Sequence, residues 1–261
     1  MNQEEWNNMC KEVVEKMTVH VKPFVSPISK VVSLEHGEHL GSSSFISCDN
    51  SKYIITNEHV AKGLKSTSLA HQFFDSDCIV RIVNPICAKE YPLDVAVSKI
   101  DDRAWAACQH SAKGIPLSRF ANKHQPVQGE LLFMIGYSGD RAGFHFGNLI
   151  SRGTPYLTQE VDFPSDIGDE NYHFSIHYKP DLASVVDGSS GGLPKPPGMS
   201  GSLVWNTRFV EMSQAGKEWS PEDAQVTGII WGWPSSDACL LATKVEHLNI
   251  QDFIDAVNQI A

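Results

Sequence analysis

The chain has 261 residues, 41% of them hydrophobic, with 21 basic against 31 acidic side chains and a formal net charge of −10. That length holds one large or two small domains with a substantial core, and the acidic balance excludes nucleic-acid binding as its main business. No window approaches the roughly 18 uninterrupted apolar residues of a membrane span.

The opening Met1-Asn2-Gln3-Glu4-Glu5-Trp6 is polar and acidic where a secretory leader would be basic and then apolar, so a cytoplasmic location is expected. The six cysteines, Cys10, Cys48, Cys78, Cys87, Cys108 and Cys239, are scattered without paired spacing, as reduced core thiols would be. Residues 3–17 set Trp6, Met9, Cys10, Val13, Val14 and Met17 at helical spacing and predict an amphipathic helix capping the fold. From about residue 21 the pattern turns β-like. Short apolar runs follow at 28–34, 43–48, 52–56, 78–83 and 93–100, and residues 101–110 read as a helical turn or loop around Trp105. A second set comprises 131–137, 143–150, 172–178, 226–233 and 238–245, with 151–171 read as loop. Residues 187–197 are rich in glycine, serine and proline, and residues from 246 onward form a closing amphipathic helix. Many short strands with helices only at the ends predict an all-β barrel or sandwich.

Three stretches carry chemistry. In Pro197-Gly198-Met199-Ser200-Gly201-Ser202, small residues lift a hydroxyl onto a turn where backbone N–H groups can converge, as a nucleophile and its oxyanion require. In Tyr53-Ile54-Ile55-Thr56-Asn57-Glu58-His59-Val60 an apolar strand ends on a histidine, the side chain that accepts and returns a proton near neutral pH. In Pro92-Leu93-Asp94-Val95-Ala96-Val97 an aspartate lies inside an apolar strand, where its charge needs a partner.

Together these stretches resemble the trypsin-like (chymotrypsin-fold) serine proteases, nearest to the intracellular, HtrA-type branch. Gly41-Ser42-Ser43-Ser44-Phe45 is similar to that family's Gly-x-Gly-Phe entry, and Thr56-Asn57-Glu58-His59-Val60 to its Thr-Asn-Ala-His-Val. Leu93-Asp94-Val95-Ala96-Val97 is similar to its Asp-x-Ala strand, and Gly198-Met199-Ser200-Gly201-Ser202 to Gly-Asn/Asp-Ser-Gly-Gly. The resemblance spans roughly residues 30–250. It implies two six-stranded antiparallel β-barrels, with short N- and C-terminal helices, and the site between the barrels. The expected divisions are an N-terminal helix at 1–20, a first barrel at 21–125, a second at 126–245 and a C-terminal helix at 246–261. It further implies a serine endopeptidase with His59 as base, Asp94 as orienting acid and Ser200 as nucleophile, working through an acyl-enzyme. The oxyanion hole would come from backbone at Gly198, Met199 and Ser200.

Val60 stands where secreted relatives carry cysteine, and Met199 where they carry an acid that pairs with a newly cut N-terminus. Met199 therefore argues against that activation route and leaves open what orders the turn. The implied pocket for the side chain before the cut bond involves Pro194, Trp231, Gly232 and Trp233. No acid stands at Pro194, so a lysine or arginine preference is unsupported. His36 and His39 lie three apart without an evident third ligand, so no metal and no cofactor is expected. His173 and His177 fall on one face of a strand and read as exposed, although they could border the cleft. The expected partners are protein or peptide substrates and an unidentified regulatory protein, with neither nucleic acid nor membrane. The alternative is a protease-fold binding or regulatory module with little turnover. No PDZ-sized substrate-capturing segment is expected after residue 250.

Overall fold

The computed structural model describes residues 2–32, 37–62, 68–145, 148–164, 166–184, 192–234 and 236–260. Helix α1 (Gln3–Val21) starts at a capping box. The Asn2 side chain accepts the Glu5 N–H at 2.9 Å, and the Glu5 carboxylate accepts the Asn2 N–H at 2.8 Å. The helix buries Val13, Val14, Met17 and Val21 and runs one turn past the predicted end, because Val21 continues the apolar stripe.

The first sheet takes β1 (Val25–Val31), β2 (Gly37–Cys48), β3 (Ser51–Thr56), β4 (Ser68–Gln72), β5 (Ile79–Arg81), β6 (Ile86–Lys89), β7 (Val95–Lys99) and β8 (Ile115–Pro116). Two short helices interrupt it, α2 (Glu58–Ala61) and α3 (Asp102–Ala107). Helix α3 forms where the sequence suggested a turn, because the Asp101 side chain accepts the N–H groups of Arg103 and Ala104. The strand order is β5-β4-β1-β2-β3-β7-β6, with β8 paired parallel to β2.

The second sheet takes β9 (Leu132–His145), β10 (Asn148–Thr158), β11 (Glu160–Val161), β12 (His173–His177), β13 (Leu203–Asn206), β14 (Gln225–Gly232) and β15 (Cys239–Lys244), in the order β10-β9-β13-β14-β15-β12-β11. Both sheets are curled and antiparallel along these paths, as the all-β expectation required. Among the described residues each path has seven strands rather than six. The extra ones are the edge strands β6 and β11, four and two residues long, too short to register as periodic runs. Residues 151–158, expected as loop, are strand. Pro155 is tolerated because β10 is an edge, where a missing N–H breaks no ladder bond.

Helix α4 (Phe209–Gln214) follows β13 and is capped by buried Glu130, whose carboxylate accepts the N–H groups of Val210 and Glu211 at 2.9 and 3.0 Å. Helix α5 (Ile250–Ile260) closes the chain and buries Ile250, Phe253, Ile254 and Val257. The terminal helices cross over. α1 leads into the first sheet yet packs on β9 and β10 of the second, whereas α5 follows the second and packs on β6 and β7 of the first. One apolar cluster joins Val13 and Met17 of α1, Ile55 and Val97 of the first sheet, Phe133 and Trp205 of the second, and Phe253 of α5.

Candidate active site

Strand β3 is buried from Tyr53 to Thr56 and ends at Asn57, whose extended backbone starts the single turn of α2 carrying His59. Asn57 is fully buried, and its side-chain amide donates to the Asp94 carbonyl at 2.6 Å, tying this turn to the one before β7. Asp94 lies not inside a strand, as its apolar neighbours suggested, but immediately before β7 with φ of 47°. That left-handed conformation is strained for a non-glycine residue and persists only where the surroundings impose it.

Here they do so from three sides. The N–H groups of Leu93 and Asp94 both donate to the Glu90 carbonyl, at 3.1 and 3.3 Å. His173 Nε2 donates to the Pro92 carbonyl at 2.7 Å, and Thr243 Oγ1 to the Leu93 carbonyl at 3.0 Å. Both of those side chains come from the second sheet. His173 is therefore not the exposed strand histidine that the sequence suggested. It is fully buried, its Nδ1 accepts the Asp169 N–H at 2.9 Å, and burial holds its pKa below the usual value.

Asp94 gives one carboxylate oxygen to the His59 backbone N–H at 2.9 Å and the other to His59 Nδ1 at 2.6 Å. An ionised carboxylate can only accept in this contact, so Nδ1 carries a proton, and in the neutral imidazole this leaves the lone pair on Nε2. The Asp94 side chain is 9% exposed and the His59 side chain 45%, which leaves the imidazole edge open to a reactant.

The serine turn docks on the same strand end. The Met199 N–H donates to the Pro196 carbonyl at 2.8 Å and Gly198 has φ of 96°, a type II turn with proline and glycine in the two central places. Gly201 has φ of 92°, and a Cβ there would lie 2.0 Å from the Ser42 carbonyl oxygen and 2.5 Å from Thr56 Oγ1. Only glycine lets the turn come this close. The Ser42 N–H donates to the Ser200 carbonyl at 2.7 Å, and the Gly201 N–H to the Ile230 carbonyl at 2.9 Å. Thr56, which Gly201 touches, stands three residues before His59. Among the described residues Ser200 Oγ makes no hydrogen bond to His59 Nε2 or to any other group.

Met199 is 1% exposed, its side chain packed among Leu132, Met134, Val204 and Ile230. Its carbonyl accepts the Ser202 hydroxyl at 2.7 Å. The Gly198 carbonyl accepts the Ser42 hydroxyl at 2.9 Å, and that hydroxyl in turn accepts the Tyr137 N–H at 2.9 Å. The Gly139 N–H donates to the Pro197 carbonyl at 2.9 Å. The turn thus has anchors on both flanks. Because the Met199 N–H is committed to Pro196, it is not a free donor. The N–H groups of Gly198 and Ser200 have no acceptor among the described residues. His39 Nε2 lies 2.8 Å from the Tyr137 carbonyl, and a Cβ on Gly198 would meet the same ring at 2.6 Å. Burial lowers the His39 pKa, while backbone contacts to Tyr137 and Gly198 oppose that shift.

The supporting contacts of Ser42, Asn57, His39, His173, Thr243 and Ser202 were not legible in the sequence, because each is made to a residue far away along the chain or by a single polar side chain with no periodic signal. The serine run at 42–44 was the one available hint.

The remaining candidates divide. Trp231 sits at a bulge between Ile230 and Gly232 of β14, which turns its ring toward Tyr91 and His173 at 5.9 and 4.8 Å. Trp233 is 37% exposed, and Pro194 is buried with its carbonyl accepting the Tyr178 hydroxyl at 2.7 Å. His36 and residues 187–191 lie outside the described residues. Among the described residues no group of three or more His, Cys, Asp or Glu side chains could hold a metal ion, and no helix is long and apolar enough to cross a membrane.

No protein-family model matches the sequence, and no curated protein matches it. Solved structures do match. An inactive form of Rv3671c from M. tuberculosis H37Rv, carrying a serine-to-alanine change, is 17% identical with a TM-score of 0.48, over 95% of this chain and 93% of that one. The tobacco vein mottling virus protease is 12% identical with a TM-score of 0.49, over 90% of this chain and 82% of that one. A catalytically inactive tobacco etch virus protease complexed with substrate is 14% identical with a TM-score of 0.48, over 92% of this chain and 87% of that one.

Proposed function

We propose that the chain is a serine endopeptidase, with Ser200 as nucleophile, His59 as general base and Asp94 as the acid that orients it. The observation that carries this reading is the Asp94 carboxylate engaging both the N–H and Nδ1 of His59, with the serine turn packed against the same strand end. His59 Nε2 takes the proton from Ser200 Oγ as the oxygen attacks the peptide carbonyl, and Asp94 stabilises the imidazolium that forms. The N–H groups of Gly198 and Ser200 receive the oxyanion. His59 then returns the proton to the leaving amine. Water, activated by the same imidazole, hydrolyses the acyl-enzyme and regenerates the hydroxyl. The nucleophile–base hydrogen bond forms as substrate closes the site, since such contacts are often long in unliganded enzymes. Protein or peptide segments are the substrates. Pro194, Trp231, Gly232 and Trp233 line the pocket before the cut bond, and with no acid among them lysine and arginine are not the favoured side chains.

A second reading, a peptide-binding module without turnover, draws on the Ser200 hydroxyl having no hydrogen bond among the described residues. Cleavage of a diverse peptide library separates the two. Wild type is expected to cut a defined subset, and Ser200→Ala to lose about three or more orders of magnitude in rate. Equal activity in the two proteins would move the nucleophile elsewhere, and no cleavage by either would favour the binding module.

A further inference from the structure

The clamp on the Asp94 turn comes from one cross-strand pair. His173 of β12 and Thr243 of β15 are partners in the antiparallel register, so their side chains share a face of the second sheet. From that face they reach two consecutive carbonyls, His173 Nε2 to Pro92 at 2.7 Å and Thr243 Oγ1 to Leu93 at 3.0 Å. The two nitrogens of His173 are not interchangeable. A carbonyl only accepts, so Nε2 carries a proton. The Asp169 N–H, 2.9 Å from Nδ1, only donates, so Nδ1 carries a lone pair. One species satisfies both contacts, the neutral Nε2–H tautomer.

We infer that His173 is a positioning residue for the His59–Asp94 pair, and that it works only while its ring is neutral. The inference rests on the proposed role of Asp94. With a second proton on Nδ1 the ring would set one donor against another, its own N–H against that of Asp169, in a place closed to water. Turning the ring relieves that conflict but takes Nε2 off the Pro92 carbonyl. The left-handed backbone of Asp94, two residues on, then loses one of the restraints that impose it. His173 thus acts through the backbone of the turn, from the opposite sheet.

The surroundings keep the ring neutral near pH 7. Burial is the largest influence and lowers the His173 pKa; the Pro92 contact and the Asp169 carboxylate oppose it, while His247 and Lys244 add to it. Asp169 is already engaged, since its Oδ1 accepts both the backbone N–H and the side-chain amide of Asn171 at 2.9 Å. Lys244 of β15 donates its ammonium to the Glu170 carbonyl at 2.6 Å, which holds that charge beside the loop before β12. Tyr91 from the turn itself, Tyr172 from that loop and Trp231 from β14 surround the ring with aromatic groups at 5.7, 6.3 and 4.8 Å. The Asp94 carboxylate is turned away, onto His59.

Two variants separate the donor from the ring. His173→Phe keeps an aromatic ring beside Tyr91 and Trp231 but offers the Pro92 carbonyl no donor, and His173→Gln offers a donor that cannot gain a proton. NMR of the folded protein reads the proton between His59 Nδ1 and Asp94 without any turnover. At pH 7 its downfield signal is expected in wild type and in His173→Gln, and broadened or lost in His173→Phe. The nitrogen shifts of His173 in wild type should show the Nε2–H tautomer. As pH falls, wild type should lose the signal as His173 takes up its proton, and His173→Gln should hold it to at least about one pH unit lower. In peptide hydrolysis kcat should fall about 10–10²-fold in His173→Phe, with KM within about threefold of wild type and most of the rate recovered in His173→Gln. If circular dichroism shows His173→Phe unfolded, the pH comparison of wild type with His173→Gln decides. The inference is overturned if folded His173→Phe keeps the signal, if His173 carries its proton on Nδ1, or if wild type and His173→Gln lose the signal at the same pH. The expected NMR result without turnover in wild type would support the clamp and overturn the proposed activity.

Discussion

Met199 stands where the resembling family carries an acid, and its surroundings show what an apolar residue does there. An aspartate in that place would be a charge with no partner in the cluster formed by Leu132, Met134, Val204 and Ile230. A thioether fills the space, and hydroxyls from Ser42 and Ser202 hold the carbonyls on either side. Burial and these hydrogen bonds hold the turn. Met199→Leu, which conserves volume, should cost less than about 1.5 kcal/mol and keep peptide hydrolysis within a few-fold of wild type. Met199→Asp should displace the Gly198 donor and lower kcat by about 10²–10³-fold, the effect of losing one oxyanion contact. Steady-state kinetics with urea unfolding on both variants checks this, and full activity in Met199→Asp would show that the turn does not depend on apolar packing. In the sequence the departure at Met199 was plain, but its compensation was not, because Ser42 and Ser202 reach the turn only through the folded chain.

Most elements could be read from the sequence, because short apolar runs mark strands such as β3, β7, β14 and β15, and a helical stripe marks α1 and α5. What failed to show were features set by single contacts: α4 by Glu130, and the Asp94 turn by clamps from the second sheet. Histidines also took roles that sequence could not assign. On β4, His71 is 2% exposed between Phe45 and Phe73, and burial drives its pKa down to about 3, with His110 adding to the effect. On α1, His20 is lowered to about 4 by burial, with Arg119 and Lys113 contributing. Both are neutral in the folded state across the neutral range, while the unfolded chain binds protons near pH 6.5. Stability is therefore complete above that pH and falls as pH drops toward the folded values, by roughly 1.4 kcal/mol per unit per histidine. Urea midpoints between pH 7 and 4.5 should fall for wild type and fall less steeply for His71→Phe. An unchanged slope in that variant would remove His71 from the account.

At the scale of the whole molecule, the two sheets are bound at both ends and through the site itself. The crossing of α1 and α5 puts residues of both sheets and both helices into one apolar cluster. Across the cleft, His173 and Thr243 of the second sheet hold the turn that presents Asp94, while the serine turn leans on Ser42 and Thr56 of the first. Each half thus holds a turn of the other in place, and on the proposed function neither sheet alone would hold a complete site. The order of His59, Asp94 and Ser200 along the chain was legible in their local contexts. This mutual support was not, because it depends on contacts across more than 80 residues of sequence.

If His59 and Asp94 activate Ser200 as a nucleophile, the folded protein reacts with a fluorophosphonate at neutral pH, and mass spectrometry maps the adduct. The expected result is one adduct per chain, on Ser200, absent from Ser200→Ala and slowed by about 10³–10⁴-fold in Asp94→Asn, where the proton on Nδ1 is no longer held. Equal weak labelling of wild type and Ser200→Ala, or an adduct on a different residue, would contradict it.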